Sequence, residues 1–418
     1  MSLLSFEEAL SRLLATATAV ADSETVPTQA ASGRVLATPL VSTIAVPPLD
    51  NSAMDGYAVR CADVPATGTR LRIAQRIAAG SAGHTLAAGT AARIFTGAPV
   101  PAGADAVVMQ ELCTHEGDDV VINVVPHRDQ AIRRSGEDIA PGAEVIAAGT
   151  RLDAAHLGLA ASIGAAELNV FRRLRVALFC TGDELTMPGE ALKPGGIYNS
   201  NRYTLHALLE GLGCIVADLG NVPDQLEATR AALCTAAQDN DLILTSGGVS
   251  VGEEDHIKPA VVAEGALDLW QIAIKPGKPL AFGSVRKKVM PSGIFESVPG
   301  QSDGAGGAAA FIGLPGNPVA SFITFLMLVR PFILTAQGAA YAPPRGLPLP
   351  AGFSWKSDKR REFLRARRTA GGGLELFANQ GSGVLTSCAW ADGLVDIAPG
   401  QAIQPGDLVR FIPFDELM

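Results

Sequence analysis

The chain has 418 residues, of which 48% are hydrophobic and 18% are charged, and its formal net charge is −9. This is the composition of a globular protein, and typical domain sizes divide a chain of this length into roughly two to four domains. The negative charge argues against general nucleic-acid binding. The longest apolar run, 319–329, has about half the length that a membrane span requires.

Six cysteines are present, and none of them forms a CxxC pair or has zinc-finger spacing. We expect reduced thiols and a cytoplasmic location. The N-terminal segment carries Glu7 and Glu8 within its apolar pattern, which is not typical of a signal peptide.

The first predicted element is a helix over residues 5–20, because apolar residues recur there at helical spacing. Ser5 and Glu8 are spaced as in a capping box, which marks a helix start. Gly, Pro and β-branched residues then predominate, and they predict an irregular β-rich lobe over 46–139. The segments on either side of this lobe are assigned to one linker domain of helix and strand: 1–45 and 140–174.

Strands and helices alternate from residue 175 to residue 330. Continuous apolar runs predict buried strands, and helical spacing predicts the helices between them: strands over 176–180, 214–219 and 241–244, and helices over 201–212 and 226–237. This alternation predicts a multidomain α/β protein with a central doubly wound, mostly parallel sheet that is covered on both faces. In such sheets, ligands bind beyond the carboxyl ends of the strands.

Three predictions concern the rest of the chain. The small, low-complexity segment 301–310 is expected to be a flexible excursion between two strands. An apolar helix is expected over 318–336, with an interruption at Pro331. Short strands with Gly and Pro turns return over 335–418 and predict a small C-terminal β-barrel, with a sandwich as the alternative.

The segment TSGGVSVGEED, which begins at Thr245, follows the third predicted strand of the α/β domain. Gly247 and Gly248 let backbone N–H groups approach an anion without a Cβ in the way. The carboxylates of 253–255 would repel a phosphate unless a hard cation lay between them, and Mg²⁺ meets that requirement. The sequence therefore indicates a phosphate and metal site. A glycine turn before an acidic helix start is an equal alternative for this loop alone.

Two further loops of the same domain suit an anion. In IKPGKPLAFG, Lys275 and Lys278 flank a Pro-Gly turn and present two ammonium groups from a stiff loop. In GLPGNP, a Gly/Pro loop opens the helix at Pro318 and would offer free N–H groups. A solvated turn and an ordinary helix start are the respective alternatives. Because three such loops occur in one α/β domain, we favour a shared anion site.

The N-terminal half carries polar clusters at 47–60, 93–100 and 133–138. Each cluster places a carboxylate or hydroxyl in a glycine-containing turn. Asp and Ser favour turns for local reasons, so a structural role is favoured for each cluster taken alone.

Eight motifs together resemble those of a known family: DNSAMDGYAVR, TGAPVPAGADAVVMQE, RRSGEDI, TGDEL, NSNR, SGGVSVGEED, IKPGKPLAFG and GLPGNPV. They occur in the family's order from residue 47 to about residue 330, and the tail beyond 340 matches more loosely. The chain thereby resembles the MoeA family of molybdopterin molybdenumtransferases, which includes the C-terminal domain of gephyrin. No single motif suffices, but eight in order are specific.

The resemblance implies a reaction that converts adenylylated molybdopterin and molybdate into AMP and the finished molybdenum cofactor. It implies Mg²⁺ as cofactor, an elongated homodimer of four-domain subunits, and a MogA/MoaB-like fold for 175–330. Transient contact with the adenylyltransferase and with molybdoenzyme-maturation proteins would follow. We expect no nucleic-acid or membrane partner, and no covalent intermediate on a Cys or Ser side chain.

The resemblance also assigns roles to positions that match the family's motifs. The catalytic positions are Asp55, Thr96, Asp138, Glu184, Asp224 and Asp255. The substrate-binding positions are Gly247, Gly248, Ser250, Lys275, Lys278, Pro315, Pro318, Arg365 and Ser382. Asp255 and Ser200 match the metal side. Arg365 and Ser382 depend on the weaker C-terminal match.

Two features of the resemblance concern charge and assembly. Asn199 stands where the family often has Asp, and loss of that charge would weaken metal binding unless Asp255 suffices. If the subunits pair as in the family, the partner's N-terminal lobe would supply the catalytic positions of the first half: Asp55, Thr96 and Asp138.

Two other functions fit parts of the pattern. An adenylyltransferase of the MogA type would make the adenylylated substrate, but its loop usually reads GGTG, whereas this chain has GGVS from Gly247. A non-catalytic molybdopterin-binding scaffold is the second alternative, although the polar site residues are intact. Molybdate and tungstate have nearly the same size and charge, so the sequence does not separate them.

Overall fold

The computed structural model describes residues 3–249, 256–287, 307–356 and 358–418. The chain forms two compact units. The first unit consists of Met1–Glu24, Gly33–Ala37 and Val170–Met418, and the second consists of Thr25–Ser32 and Thr38–Asn169. Strands Ser23–Pro27 and Glu167–Phe171 lie where the chain passes from one unit to the other.

A six-stranded sheet forms the centre of the first unit. Its strands lie in the order Ile215–Val222, Arg175–Thr181, Leu242–Ser246, Ala308–Leu314, Pro279–Arg286 and Gly265–Gln271. The first four strands are parallel to one another. Pro279–Arg286 runs antiparallel to both of its neighbours, Ala308–Leu314 and the edge strand Gly265–Gln271. The predicted mostly parallel sheet is therefore confirmed, with an antiparallel pair added at its edge. A short parallel pair, Leu185–Thr186 with Ile197–Tyr198, lies outside this sheet.

Helices cover both faces of this sheet. On strand Arg175–Thr181, Val176 and Leu178 contribute to one core, and Ala177 and Phe179 contribute to the other. This alternation is the period of two that a strand requires, and burial of both sets explains the continuous apolar run. The helices of the first unit are Phe6–Thr16, Ser200–Gly211, Leu226–Asp239, Ile257–Glu264, Pro318–Thr324, Arg330–Ala336 and Thr386–Trp390.

The first helix is shorter than the sequence suggested and ends at Thr16. The predicted capping box is present, because Ser5 Oγ accepts from the Glu8 amide and the Glu8 carboxylate accepts from the Ser5 amide. Phe6 and Leu13 are buried in the same core as the central sheet. The structure therefore groups residues 1–24 with the α/β unit, whereas the sequence suggested a grouping with 140–174.

The apolar helix near residue 318 continues past Pro331. Its two α-helical parts, Pro318–Thr324 and Arg330–Ala336, are joined by a wide π turn over Phe325–Val329. The wide turn precedes Pro331, whose ring and missing N–H do not fit a regular helix interior, so the chain bulges there and does not break. The whole stretch Pro318–Ala336 is long and apolar enough to cross a membrane, but 83% of it is buried inside the protein, as in a core helix.

One sequence prediction is wrong at the start of the fourth parallel strand. Residues 308–310 were expected to lie in a flexible excursion, but all three pair with Pro279–Arg286, and Ala310 also pairs with Leu242–Ser246. Three consecutive alanines carry no strand signal, and pairing with the neighbouring strands determines their conformation. The rest of that excursion, 301–306, lies outside the described residues.

A second sheet closes into a small barrel in the C-terminal part of the first unit. Its order is Ile274–Lys275, Arg361–Arg368, Gly393–Ile397, Leu408–Pro413 and Leu347–Pro350, and Leu374–Leu376 pairs with Arg361–Arg368. A bridge from Ala351 to Leu374 joins the two ends. The predicted small C-terminal β-barrel is therefore present. Strand Ile274–Lys275 comes from the α/β part of the chain and pairs with the barrel strand Arg361–Arg368.

The second unit is built on a six-stranded sheet, in agreement with the predicted β-rich lobe. Its strands lie in the order Ala106–Met109, Gly56–Val59, Thr90–Ile94, Thr69–Ile77, Asp119–Ile122 and Cys113–Glu116. Two short antiparallel pairs accompany it: Asn51–Ser52 with Ile132–Arg133, and Leu40–Val41 with Glu144–Ile146. The helix of this unit is Ala154–Ser162.

Candidate functional site

A cavity of about 650 Å³ lies at the carboxyl ends of the parallel strands in the first unit. Three of these strands lead directly into its wall, at Gly182, Gly247 and Pro315. The turn before the antiparallel strand Pro279–Arg286 reaches the same edge. Loops beyond strand carboxyl ends are the usual ligand sites of α/β sheets, so this cavity is the candidate functional site.

Many of the residues that the sequence assigned to a site meet here although they are far apart in the chain. The cavity is lined by Glu184, Asp224, Gly247, Gly248, Lys275, Lys278, Pro315 and Ser382. Their individual roles stay predictions, but the structure brings them to one place.

Other predicted site residues lie elsewhere. Ser200 and Pro318 are the first residues of helices Ser200–Gly211 and Pro318–Thr324 and are not part of the cavity lining. The predicted metal ligand Asp255 and the predicted ligand contact Ser250 lie outside the described residues. Three belong to the second unit: Asp55, Thr96 and Asp138.

The glycine loop offers one amide to a ligand. The Gly247 amide donates to Leu314 O at 3.2 Å, so it already ties its strand to the next one. Within the described part of the chain, the Gly248 amide makes no hydrogen bond. Gly247 has φ +96°, and a Cβ there would lie 2.6 Å from Thr181 O. Only glycine fits this close approach, and the loop is held so that Gly248 faces the cavity.

Thr181 is a cavity residue to which the sequence prediction assigned no role. Its side chain is only 4% exposed, and its Oγ1 has no hydrogen-bond partner among the described residues. Buried hydroxyls normally find a partner, so an unpaired one in a cavity wall is suited to a ligand. Its position directly after the apolar run VALFC was the available signal.

Asn201 connects two walls of the cavity. Its Nδ2 donates to Ser246 Oγ at 2.8 Å and to Gly316 O at 2.7 Å. Ser246 Oγ in turn donates to Pro315 O at 3.2 Å. These bonds hold the end of the glycine-loop strand against the loop that opens helix Pro318–Thr324. The NSNR motif contained this residue, but nothing in its sequence context showed what it would contact.

Asn199 is an interior capping residue. It is 1% exposed, and its Oδ1 accepts from the Arg202 amide at the start of helix Ser200–Gly211. Its Nδ2 donates to Asn221 Oδ1 at 2.5 Å. The side chain is not part of the cavity lining. The Asn that stands here in place of the family's frequent Asp therefore concerns a helix cap.

The two lysines of the IKPGKP loop differ in their surroundings. Lys275 Nζ lies 2.8 Å from Glu362 Oε1 and 3.5 Å from Asp358 Oδ2. Hydrogen bonds from Arg360 lower the pKa of Asp358 to about 2, so this partner is charged. Lys278 is exposed, and in the described segments no carboxylate oxygen lies within 4.0 Å of it. Within this part of the chain, no acidic partner offsets the charge of Lys278.

Arg365 lies behind the cavity wall. The side chain is 0% exposed, and its guanidinium donates to Ser387 Oγ, Phe363 O and Gly381 O. Burial lowers its pKa, but an arginine remains protonated at neutral pH. Arg365 is not part of the cavity lining, so its predicted substrate-binding role stays a prediction. Arg365 fixes the loop of Gly381 and Ser382 and places a positive charge behind it.

In the second unit, Asp55 and Thr96 form a hydrogen-bonded pair. Asp55 Oδ1 accepts from the Thr96 amide at 2.8 Å and from Thr96 Oγ1 at 2.7 Å. These two bonds, the backbone one first, lower the pKa of Asp55. Asp138 is exposed in a separate turn, where its amide donates to Val46 O.

A larger cavity of about 830 Å³ lies at the opposite, amino-terminal edge of the central sheet. It is lined largely by apolar side chains such as Leu174, Leu242 and Trp270. None of the predicted site residues lines it. The carboxyl-edge cavity is therefore the better candidate despite its smaller volume.

The fold and this cavity define a multidomain α/β protein with a candidate anion site at the carboxyl edge of a parallel sheet. Three family models match the chain: the MoeA N-terminal region (domain I and II) over residues 4–164, a probable molybdopterin binding domain over 177–335, and the MoeA C-terminal region (domain IV) over 348–414. The chain belongs to the MoeA family.

Individual relatives agree with this assignment. The molybdopterin molybdenumtransferase of Haemophilus influenzae is 40% identical over 337 residues, which cover 80% of this chain and 78% of the relative. Molybdopterin molybdenumtransferase 2 of Mycobacterium tuberculosis is 36% identical and covers 92% of this chain and 95% of the relative. The crystal structure of the molybdopterin biosynthesis moeA protein of Pyrococcus horikoshii OT3 superposes with a TM-score of 0.82 at 26% identity, over 99% of this chain and 100% of that one. The predicted fold class and family are confirmed.

Proposed function

We propose that the chain inserts molybdenum from molybdate into adenylylated molybdopterin, with release of AMP and formation of the molybdenum cofactor. Relatives that match most of the chain bear the name molybdopterin molybdenumtransferase. The observation that carries the proposal is the single cavity where a glycine loop, Lys278 and the loop of Pro315 meet. Each of these elements suits an oxyanion.

Molybdate is a tetrahedral dianion, and several groups of the cavity would bind its oxygens. Among the described residues, Lys278 offers an ammonium group that is not in an ion pair, and the Gly248 amide and the Thr181 hydroxyl have no hydrogen-bond partner. Arg365 adds a fixed positive charge behind Ser382. Lys275, which is paired with Glu362, mainly shapes this wall.

Cleavage of the phosphoanhydride depends more on how the two reactants are positioned than on a nucleophilic side chain of the protein. A molybdate oxygen is the proposed attacking group, and AMP is the leaving group. Cys180, just before Thr181, is not suited to covalent catalysis, because burial raises its pKa to about 11 and keeps the thiol protonated. Fixed donors around the oxyanion would hold the reactants in line.

Mg²⁺ remains a proposed cofactor. Across the described residues, no group of three His, Cys, Asp or Glu side chains is placed to hold a metal ion. Mg²⁺ is commonly bound through only one or two carboxylates plus substrate phosphates, and Glu184 and Asp224 line the cavity, so the donor chemistry fits. These two residues, with Asp255, would hold the ion, whose charge would offset that of the phosphate groups.

A homodimer and a cytoplasmic location are likewise proposals, which rest on the resemblance. The family relationship supports the dimer, and light scattering of the purified chain would test it. A monomer at assay concentration would refute it.

The test of the function is an anaerobic assay with adenylylated molybdopterin, Mg²⁺ and either molybdate or tungstate, with AMP release as the readout. We expect AMP release that depends on the oxyanion and that falls at least about tenfold in Lys278→Ala. Lys359→Ala removes an equal charge outside the cavity and should retain activity. Absence of AMP with both oxyanions would refute the proposal, and rapid adenylylation of molybdopterin from ATP would favour the adenylyltransferase.

A further inference from the structure

The second unit contains a cleft that no predicted site residue lines. Its volume is about 550 Å³, and its walls are Tyr57, Ile73, Arg76, Arg93, Gln110, Cys113 and His115. No carboxylate belongs to this lining. The chain as a whole is negatively charged, so a cleft with two guanidinium groups and no acid is a local exception.

Two arginines lie side by side in this cleft. Arg76 and Arg93 are paired positions on the neighbouring parallel strands Thr69–Ile77 and Thr90–Ile94. Their guanidinium carbons lie 4.5 Å and 4.7 Å from the centre of the Phe95 ring. The aromatic ring holds both charges in place, but it does not neutralise them.

Neither arginine has an acidic partner among the residues that the structure describes. In the described part of the chain, no carboxylate oxygen lies within 4.0 Å of Arg76 or Arg93. By contrast, Arg70 and Arg134 of the same unit each contact two carboxylates. Like charges on paired strand positions repel each other, so an anion between the two guanidinium groups would relieve an unfavourable arrangement.

The two arginines also differ in how their donors are used. Arg93 donates to Gly56 O at 3.0 Å and to Gln110 Oε1 at 2.5 Å, which orients its guanidinium group. Arg76 makes no hydrogen bond within the described residues, so its five N–H groups are available. One oriented and one adaptable guanidinium can together contact several oxygens of one tetrahedral anion.

We propose that this cleft binds a phosphate group, either as inorganic phosphate or as a nucleoside monophosphate. Arg76 contacts the phosphate directly, Arg93 provides the second charge, and Phe95 is the common support. The inference concerns the second unit alone and does not depend on the proposed molybdenum insertion.

The test is calorimetric titration of the full-length chain carrying Lys278→Ala, which removes the available ammonium group of the other cavity. We expect saturable binding of AMP and of inorganic phosphate, and none of adenosine. Tighter binding of AMP than of phosphate would assign the cleft to a nucleotide, and equal affinity would assign it to the phosphate group alone. Both results support the proposal.

Arg76→Gln is the decisive variant because this side chain is exposed and its loss should not disturb folding. It should weaken phosphate and AMP binding by about tenfold or more. Arg72→Gln, on the same strand and also exposed, removes an equal charge outside the cleft and should have little effect. Absence of saturable binding, or equal weakening by the two variants, would overturn the proposal.

Discussion

The side-chain amide of Asn201 donates to the carbonyl oxygen of Gly316 at 2.7 Å, and this bond joins two loops of the cavity. Asn201→Ala would deprive Gly316 O and Ser246 Oγ of their donor. We expect a loss of about 1–3 kcal/mol in the free energy of unfolding. Because the loops would also move relative to each other, the rate of AMP release should fall by about tenfold or more. Urea unfolding and the anaerobic assay measure the two effects.

Asn240→Ala is the control for this variant. Asn240 is buried, and its side-chain amide donates to Ala236 O at 2.9 Å, but this bond joins no loop of the cavity. It should lose stability with unchanged kcat and KM. If Asn201→Ala behaved in the same way, Asn201 would have no positioning role.

The two lysines of the IKPGKP loop should respond differently to substitution. Lys275→Ala leaves the Glu362 carboxylate, which is 1% exposed, with the Trp355 indole N–H as its hydrogen-bond donor. We expect a loss of about 1–3 kcal/mol in the free energy of unfolding. Lys278→Ala should change stability by less than about 0.5 kcal/mol and should raise KM for molybdate. Equal stability of the two variants would contradict the structural assignment.

Gly247 should not tolerate a side chain. Gly247→Ala combines φ +96° with a Cβ placed 2.6 Å from the backbone oxygen of Thr181, so the loop has to shift. We expect a loss of at least about 1–2 kcal/mol in stability and weaker binding of molybdate. Gly211→Ala, at the end of helix Ser200–Gly211, faces open space and should be neutral or stabilising by up to about 1 kcal/mol. A fully active Gly247→Ala variant would show that the loop conformation is not needed.

The pKa of Asp55 should depend on Thr96. The pKa of Asp55 is lower in the folded protein than in the unfolded chain. The carboxylate therefore stabilises the fold at pH values above the unfolded-state pKa of about 3.9. That contribution is lost as the pH falls through the lower, folded-state pKa. Thr96→Val removes the hydroxyl donor and retains the backbone donor, so the pKa should rise but stay below the unfolded value. Carboxyl NMR titration measures it, and an unchanged pKa would show that the hydroxyl bond is absent in solution.

Asn199→Asp should leave the Mg²⁺ dependence of AMP release unchanged. The new carboxylate would still accept from the Arg202 amide, but it could no longer donate to Asn221 Oδ1. A stability loss of about 1 kcal/mol is expected from the lost donor. A markedly lower Mg²⁺ requirement in the variant would instead place residue 199 at the metal.

The buried strands and their glycine loops could be predicted from the sequence because local patterns determine them. Strand Arg175–Thr181 is covered on both faces and therefore reads as a continuous apolar run. The surroundings of charged residues could not be predicted in this way. Lys275 lies opposite Glu362, and Arg365 meets Ser387, only because the barrel brings distant segments together. Nothing in the sequence around Arg365 indicated that this arginine would be fully buried.

Strand Ile274–Lys275 limits how far the parts of this protein can be exchanged. It leaves the α/β sheet and pairs in register with Arg361–Arg368 of the barrel, so one side of the cavity is anchored in the neighbouring fold. An isolated α/β domain would retain the glycine loop but lose the scaffold that holds Lys275 and Ser382. Recombination between relatives would therefore preserve the cavity only if both segments came from the same parent. The barrel and the α/β domain therefore have to be exchanged together if the cavity is to keep its residues in place.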